Sequence, residues 1–403
     1  MNALILKPGK EKSLLRRHPW LFSGAVERLK GEPAPGEIVR VLSADGAFLA
    51  QAAYSPRSQI RARVWTWSET EAVDETFFLR RLRAAVGERE PLAAFRHPQG
   101  ALRLVHAESD GLPGLIVDRY ADTLVMQVLA AGVEPWRETI ARTLLELTGC
   151  ARVYERSDAE VRELEGLPAR SGPLAGGEPG AGIEILEPAP VPLRFRVDVR
   201  GGQKTGFFLD QRDNRALVQG LARGRDVLDA FCYSGGFALA AACGGAASVL
   251  ALDSSAEALA LARQNVEANG LPEAAIEWRE ADVFKGLRDL RDQGRRFDLV
   301  VLDPPKFAPT AALAERAARA YKDINLLGFR LLRPGGVLVS FSCSGAIGPE
   351  LFQKIVAGAA LDARVAARVE RRLMAAPDHP ALLSFPEGEY LKGLVCGVRV
   401  DNG

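Results

Sequence analysis

Two apolar, strand-like runs end in groups that could do chemistry. Phe297-Asp298-Leu299-Val300-Val301-Leu302 leads into Asp303-Pro304-Pro305-Lys306-Phe307, and Val337-Leu338-Val339-Ser340-Phe341-Ser342 leads into Cys343. Each run reads as a buried strand, and the two prolines stop the first at its carboxyl end. In a doubly wound sheet the carboxyl ends of the strands form the ligand crevice, so this acid and this thiol face one space if their strands are neighbours. The chemistry that pair suits is attack on a nucleobase. Carbon C5 of a pyrimidine is a poor nucleophile; a thiolate adding to C6 makes it an enamine carbon that a sulfonium can methylate. A base then removes the C5 proton and the thiol is expelled. Asp303 would contact the ring edge, and the Pro304 carbonyl would accept from the exocyclic amine of cytosine, with Lys306 beside them; uracil O4 suits that carbonyl less well. Cys343 sits in a permissive turn with Ser342, Ser344 and Gly345. A thiol ordinarily titrates near about 8.5, so nearby positive charge or the bound base must assist it. Most strand-end cysteines are inert packing; the neighbouring Asp-Pro-Pro end is what favours a nucleophile here. Cys150, Cys232, Cys243 and Cys396 read as packing.

A second constellation lies upstream. Val227-Leu228-Asp229-Ala230-Phe231 is followed by Ser234-Gly235-Gly236 and an alanine-rich helix. This differs from the dinucleotide fingerprint, in which close-set glycines admit a pyrophosphate. An acid at that strand end would repel a diphosphate but can pair with an α-ammonium. Gly235 and Gly236 let the backbone approach a ligand. Asp253 ends the next strand, about twenty residues on, where an acid binds ribose hydroxyls. The set resembles class I S-adenosylmethionine-dependent methyltransferases. The resemblance implies S-adenosylmethionine contacts from Phe231, Tyr233, Ser234, Gly235, Asp253, Ser254, Asp282, Val283 and Asp303, with Asp229 on the amino acid end.

The elements that must position these groups fall into three regions: 1–70, 75–187 and 188–403. In the first, Glu37 to Leu42, an Asp45-Gly46 turn, Phe48 to Ala50 and Ile60 to Trp65 predict a small β barrel. In the second, a helix from Asp74 to Val86 precedes strands at Leu102–His106, Leu115–Asp118 and Thr123–Leu129 and a helix from Pro135 to Leu147. Gly172 to Gly182 reads as a loop or hairpin connection. The third alternates strand, glycine loop and helix, which predicts a parallel sheet covered on both faces. The fold class expected is therefore multidomain α/β, with a central α+β domain and a carboxyl-terminal doubly wound, Rossmann-like domain.

Composition sets limits. The chain has 403 residues, 47% apolar and 26% charged, which suits a soluble multidomain protein. No apolar run reaches membrane-spanning length, and Ala3-Leu4-Ile5-Leu6 is too short for a signal peptide, so the cytoplasm is the expected compartment and no membrane partner is expected. Five cysteines without a C-x-x-C pair argue for reduced thiols and against a metal site. Net charge is +1, yet residues 1–65 hold eleven Lys/Arg against five acids. Such clustering is expected of a phosphate-backbone contact, with Arg16, Arg17, Arg61 and Arg63 as candidates; a solvated basic face is the plain alternative.

The amino-terminal region resembles the PUA domain, a small RNA-binding barrel, through Gly36-Glu37-Ile38-Val39, Asp45-Gly46 and Tyr54-Ser55-Pro56-Arg57-Ser58-Gln59-Ile60-Arg61. It departs from that pattern at Ala50-Gln51-Ala52-Ala53, where a glycine-rich strand is common. The whole chain is similar to the large-subunit ribosomal RNA cytosine-C5 methyltransferase I family. The matching residues are His18 to Gly24, Glu108-Ser109-Asp110-Gly111-Leu112-Pro113-Gly114, Lys204 to Arg212, Asp303 to Phe307, Tyr321-Lys322-Asp323-Ile324-Asn325 and Phe341 to Gly345. The resemblance implies that Cys343 is the nucleophile, that Lys204 to Arg212 forms part of the cofactor pocket with Phe207 or Phe208 near the adenosine or methionine moiety, and that 23S rRNA is the substrate. Asp303, from its strand end, is the second catalytic candidate. It leaves room for a homodimer. Two other readings stay open: guanine N7 methylation, which needs no thiol, and a non-catalytic RNA-binding protein that keeps the cofactor fold. An adenine N6-methyltransferase fits less well, because Lys306 stands where an aromatic is common. His379 and Glu387, in the loop-rich tail, read as structural.

Overall fold

A computed structural model of the chain describes residues 2–307 and 314–399. Contacts divide the chain into two compact units: 1–186 with 197–209 and 378–388, and 187–196 with 210–377 and 389–403.

The first unit holds two sheets, each with its own core. Strands Ala3–Leu6, Trp20–Phe22, Val26–Lys30, Ile38–Leu42, Phe48–Tyr54 and Ile60–Thr66 form a six-stranded mixed sheet. Leu4, Leu6, Leu21, Val39, Val41 and Val64 pack inside it with Ala50, Ala52 and Ala62. Ala50 and Ala52, on the strand where glycines are common in the pattern, are fully buried. A second, five-stranded sheet is ordered Arg170–Ala175, Arg152–Ser157, Thr123–Val128, Leu115–Tyr120, Ala101–His106. Helices Glu75–Arg89 and Arg137–Thr148 contribute Phe77, Phe78, Leu82, Ile140 and Leu144 to its core. Asp74 caps the first helix by accepting from the Phe77 N–H at 2.9 Å. Gly172 to Leu174, expected in a connection, instead lie in an edge strand antiparallel to Arg152–Ser157. Gly172 serves there at φ 149°, a conformation closed to most side chains.

The second unit is a seven-stranded sheet: β1 (Asp226–Ala230), β2 (Ser248–Asp253), β3 (Glu277–Glu280), β4 (Phe297–Leu302), β5 (Leu332–Ser342), β6 (Ala367–Leu373) and β7 (Lys392–Val398). Their order is β3-β2-β1-β4-β5-β7-β6. The first five run parallel, and β7 enters antiparallel between β5 and β6. Helices α1 (Arg212–Leu221), α2 (Gly236–Cys243), α3 (Ala256–Ala268), α4 (Val283–Asp292), α5 (Ala314–Leu331) and α6 (Pro349–Ala363) cover it. Because helices bury both faces, the inner strands read as unbroken apolar runs. The core joins Leu228, Leu250, Val300, Leu302 and Leu338 to Leu287, Ile324, Phe329 and Phe352 of the helices. No helix among the described residues is long and apolar enough to cross a membrane.

Candidate active site

The sheet order reverses between β1 and β4, which makes their carboxyl ends the switch point where such sheets open a crevice. Asp229 lies on β1 and is fully buried. Its Oδ2 accepts from the Ala238 N–H of α2 at 2.8 Å, while its Oδ1 is buried without a hydrogen-bond partner. Burial, the Asp303 carboxylate and the Asp253 carboxylate push its carboxyl up to about 8, against the single bond from Ala238. A buried carboxylate in that state lacks one thing, a cation. The loop after β1 is strained: Phe231 and Tyr233 have φ of 66° and 48°, values a non-glycine residue adopts only under constraint. Gly235 follows at φ 82°, where a Cβ would stand 2.7 Å from the Trp278 ring. Asp253, ending β2, ties the loop down. Its Oδ2 accepts from the Tyr233 N–H at 2.8 Å and its Oδ1 from the Ser255 N–H at 2.9 Å. Ser234 is buried and its carbonyl accepts from Asn265 at 3.0 Å; Ser254 is exposed. Asp282 caps α4 by accepting from the Lys285 N–H at 2.8 Å, and Val283 beside it is buried. The unpartnered oxygen of Asp229 and the Asp253 carboxylate form a cradle that fits the ammonium and ribose hydroxyls of S-adenosylmethionine, while the missing side chain of Gly235 makes room for the Trp278 ring.

On the other side of the switch point, β4 and β5 are neighbours and parallel, with Leu302 opposite Ser340. Asp303 and Cys343 therefore leave one sheet edge on adjacent strands, whose spacing is about 4.8 Å. The strand ends at Ser342, so Cys343 is the first residue of the turn rather than the last of the strand, and it is half-buried. Tyr321 of α5, fully buried, meets the Ser344 hydroxyl at 3.0 Å. Burial raises the Tyr321 phenol, and the thiolate form of Cys343 raises it further, against its bonds to Ser342 and Ser344. Pro304 is buried while Pro305 and Lys306 are exposed. Phe307 lands among Phe231 of the cofactor loop, Phe284 of α4 and Tyr321, with ring centroids 6.5, 5.8 and 4.8 Å away. The other thiols are poorly placed for nucleophilic work. Burial pushes Cys150 and Cys243 up and Cys396 up to about 12; Cys232 is raised by burial and by Asp229 and Asp253.

Sequence reasoning missed one residue near the thiol, Lys392. Its signal is that of a lone charge opening the apolar run Leu394 to Val398, and buried lysines need partners.

The first unit holds the remaining predicted residues. Phe207 is buried, and its N–H donates to the Tyr120 hydroxyl at 3.2 Å. Thr205, just before it, donates to Asp118 at 2.6 Å, and Asp118 in turn pairs with Arg103 at 2.8 Å. Arg16 is exposed, and Arg17, also exposed, stacks over Trp67 at 5.0 Å. Two expected phosphate contacts are corrected. Arg63 is buried and pairs with Glu165 at 2.7 Å and Glu108 at 3.6 Å, so it is no surface cation. Arg61 is half-buried and turned onto the carbonyls of Ser55 and Pro56 in its own loop. Burial would raise Glu165, but Arg63, Ser55 and Ser58 outweigh it and hold the carboxyl below its ordinary value. His379 lies 3.2 Å from Asp378 and Glu387 3.2 Å from His18.

Fold and cradle together define a class I S-adenosylmethionine-dependent methyltransferase with a PUA-like amino-terminal domain. The profile of the S-adenosylmethionine-dependent methyltransferase family matches residues 110–385, and that of the PUA-like domain residues 4–67. Among curated proteins, the ribosomal RNA large subunit methyltransferase I of Shewanella amazonensis is 51% identical over 393 residues, covering 98% of both chains. That of Aeromonas hydrophila is 50% identical over 397 residues, covering 98% of this chain and 99% of the relative. Among solved structures, SMU.776 in complex with SAH superposes with a TM-score of 0.86 at 22% identity, covering 99% of this chain and 100% of the other, a likeness of fold. This chain belongs to the ribosomal RNA large subunit methyltransferase I family.

Proposed function

We propose that this protein methylates C5 of a cytosine in 23S ribosomal RNA, with Cys343 as the covalent nucleophile. The observation that carries the reading is the descent of Asp303 and Cys343 from neighbouring parallel strands, one strand away from the orphaned Asp229 carboxylate. The names of the relatives support a large-subunit rRNA substrate, and the PUA-like match supports docking on RNA. Bound S-adenosylmethionine would supply the methyl group. Asp229 would hold its ammonium, Asp253 its ribose, and Phe231, Tyr233, Ser234, Gly235, Ser254, Asp282 and Val283 would line its site. The Cys343 sulfur would bond to C6 of the ring and make C5 nucleophilic; loss of the C5 proton after methylation would break the S–C6 bond and restore the aromatic base. Asp303 and the Pro304 carbonyl would hold the ring edge and the exocyclic amine, and Lys306, exposed beside them, an adjoining phosphate. A cytoplasmic protein would meet this substrate directly.

The test is mass mapping of rRNA from cells lacking the protein, complemented with wild type or with Cys343→Ala. The reading requires one 5-methylcytosine in 23S rRNA that wild type restores and the variant does not. A missing 7-methylguanine would assign the other chemistry, and unchanged rRNA would leave an RNA-binding protein.

A further inference from the structure

Lys392 opens β7 directly opposite Ser342 of β5, beside the turn that begins with Cys343. The residue is only 7% exposed. Its ammonium donates to two carbonyls of that turn, Ser344 O at 2.9 Å and Ile347 O at 2.7 Å. No carboxylate forms an ion pair with it among the described residues. An ammonium has three donors, so one remains beyond the two carbonyls. A buried cation without a counter-ion is costly, and it persists where an anion forms beside it.

We propose that Lys392 is a positioning residue for methyl transfer: it fixes the Cys343 turn through the Ser344 and Ile347 carbonyls and provides the positive charge that favours the Cys343 thiolate. This rests on the reading of Cys343 as nucleophile. The groups facing the pair fit it. Burial lowers the lysine, the Cys343 thiolate and Glu389 raise it, and Lys306, in the segment after β4, lowers it. Tyr321 holds the same turn from α5 through the Ser344 hydroxyl, and Asp303 stands on the adjacent strand end. Among these the two lysines are the cations, and Lys392 is the buried one. Gly393, next in the strand, has no side chain because a Cβ there would stand 2.6 Å from the Phe341 ring. The backbone of β7 is thereby kept close against β5.

The test is the pH dependence of Cys343 alkylation by iodoacetamide, read by peptide mass in the full chain for wild type, Lys392→Met and Lys392→Arg. SAH binding serves as the check on folding. The alkylation midpoint of Lys392→Met is expected about one pH unit or more above wild type, with Lys392→Arg between them. Turnover of Lys392→Met should fall at least about tenfold at neutral pH and recover as pH rises. A purely structural clamp would not move the midpoint. Coincident midpoints in wild type and a Lys392→Met variant that binds SAH normally would overturn the proposal. Should Lys392→Met fail to bind SAH, Lys392→Gln, which keeps a donor without the charge, is read by the same criterion. The midpoint reports on the lysine whether or not the thiol attacks RNA, whereas turnover by Cys343→Ala reports on the nucleophile alone.

Discussion

Binding of an ammonium-bearing ligand should depend steeply on pH because of Asp229. Its carboxyl, raised to about 8 first by burial and then by Asp303, is mostly protonated at neutral pH in the ligand-free protein. An α-ammonium pairs with the ionised form, so binding must expel that proton. Below the raised value the apparent affinity should climb about tenfold per pH unit and level off above it. With a midpoint of about 8, the ratio of the factors (1 + 10²) and (1 + 10⁰) gives about a 50-fold gain between pH 6 and pH 8, or about 2.3 kcal/mol. The same shift acts on stability with the opposite sense. The folded protein keeps this proton up to about 8 whereas the unfolded chain releases it near 3.8. The contribution is therefore fully present below the lower value and lost as pH rises through the upper one, at no more than about 1.4 kcal/mol per pH unit. Calorimetric titration with SAH from pH 6 to 9, in buffers of different ionisation enthalpy, reads both affinity and proton release. Close to one proton should be released at pH 7, and Asp229→Asn should bind at least about tenfold more weakly with little pH dependence. A flat affinity profile, or an asparagine variant that binds like wild type, would refute the assignment of Asp229 to the ammonium.

Other perturbations separate function from architecture. Glu165→Gln strips the buried Arg63 of its nearer carboxylate, leaving Glu108 at 3.6 Å, and should cost up to about 3 kcal/mol, seen in denaturant melts as loss of the first unit. Because Glu165 is held below its ordinary value, that unit should also lose stability as pH falls through the depressed value and not as it rises. Gly393→Ala drives a Cβ into Phe341, which is fully buried, and should cost about 1–3 kcal/mol in thermal melts. Charge reversal at Arg16 and Arg17 should weaken RNA binding and flatten its salt dependence while leaving SAH affinity unchanged. Reversal at Arg63 should instead unfold the six-stranded sheet.

Much of the second unit was legible because its signals are local. Prolines after Leu302 end β4, Asp229 and the glycines mark the first βα turn, and Ser255 caps α3 with its hydroxyl accepting at 3.1 Å. Buried parallel strands announce themselves as apolar runs, so the ends carrying Asp303 and Cys343 could be read directly. What was not legible depends on pairing across the chain. A count of arginines cannot tell exposed Arg17 from Arg63, whose partners Glu108 and Glu165 lie 45 and 102 residues away. Gly172 reads as a connection because glycine and proline dominate there, yet tertiary pairing with Glu155 makes it a strand. The return of 197–209 and 378–388 to the first unit leaves no local signature at all. Lys392 was visible as an isolated charge, but its purpose emerges only when antiparallel register brings it opposite Ser342.

The central claim is a transient bond between Cys343 and a pyrimidine ring. Incubating the protein and S-adenosylmethionine with 23S rRNA fragments carrying 5-fluorocytidine tests it most directly, since fluorine at C5 cannot leave as a proton and the adduct cannot resolve. Covalent protein–RNA complex mapping to the Cys343 peptide, absent from Cys343→Ala, is the predicted result. Methylated RNA with no trapped complex, or a complex through another residue, would contradict the account.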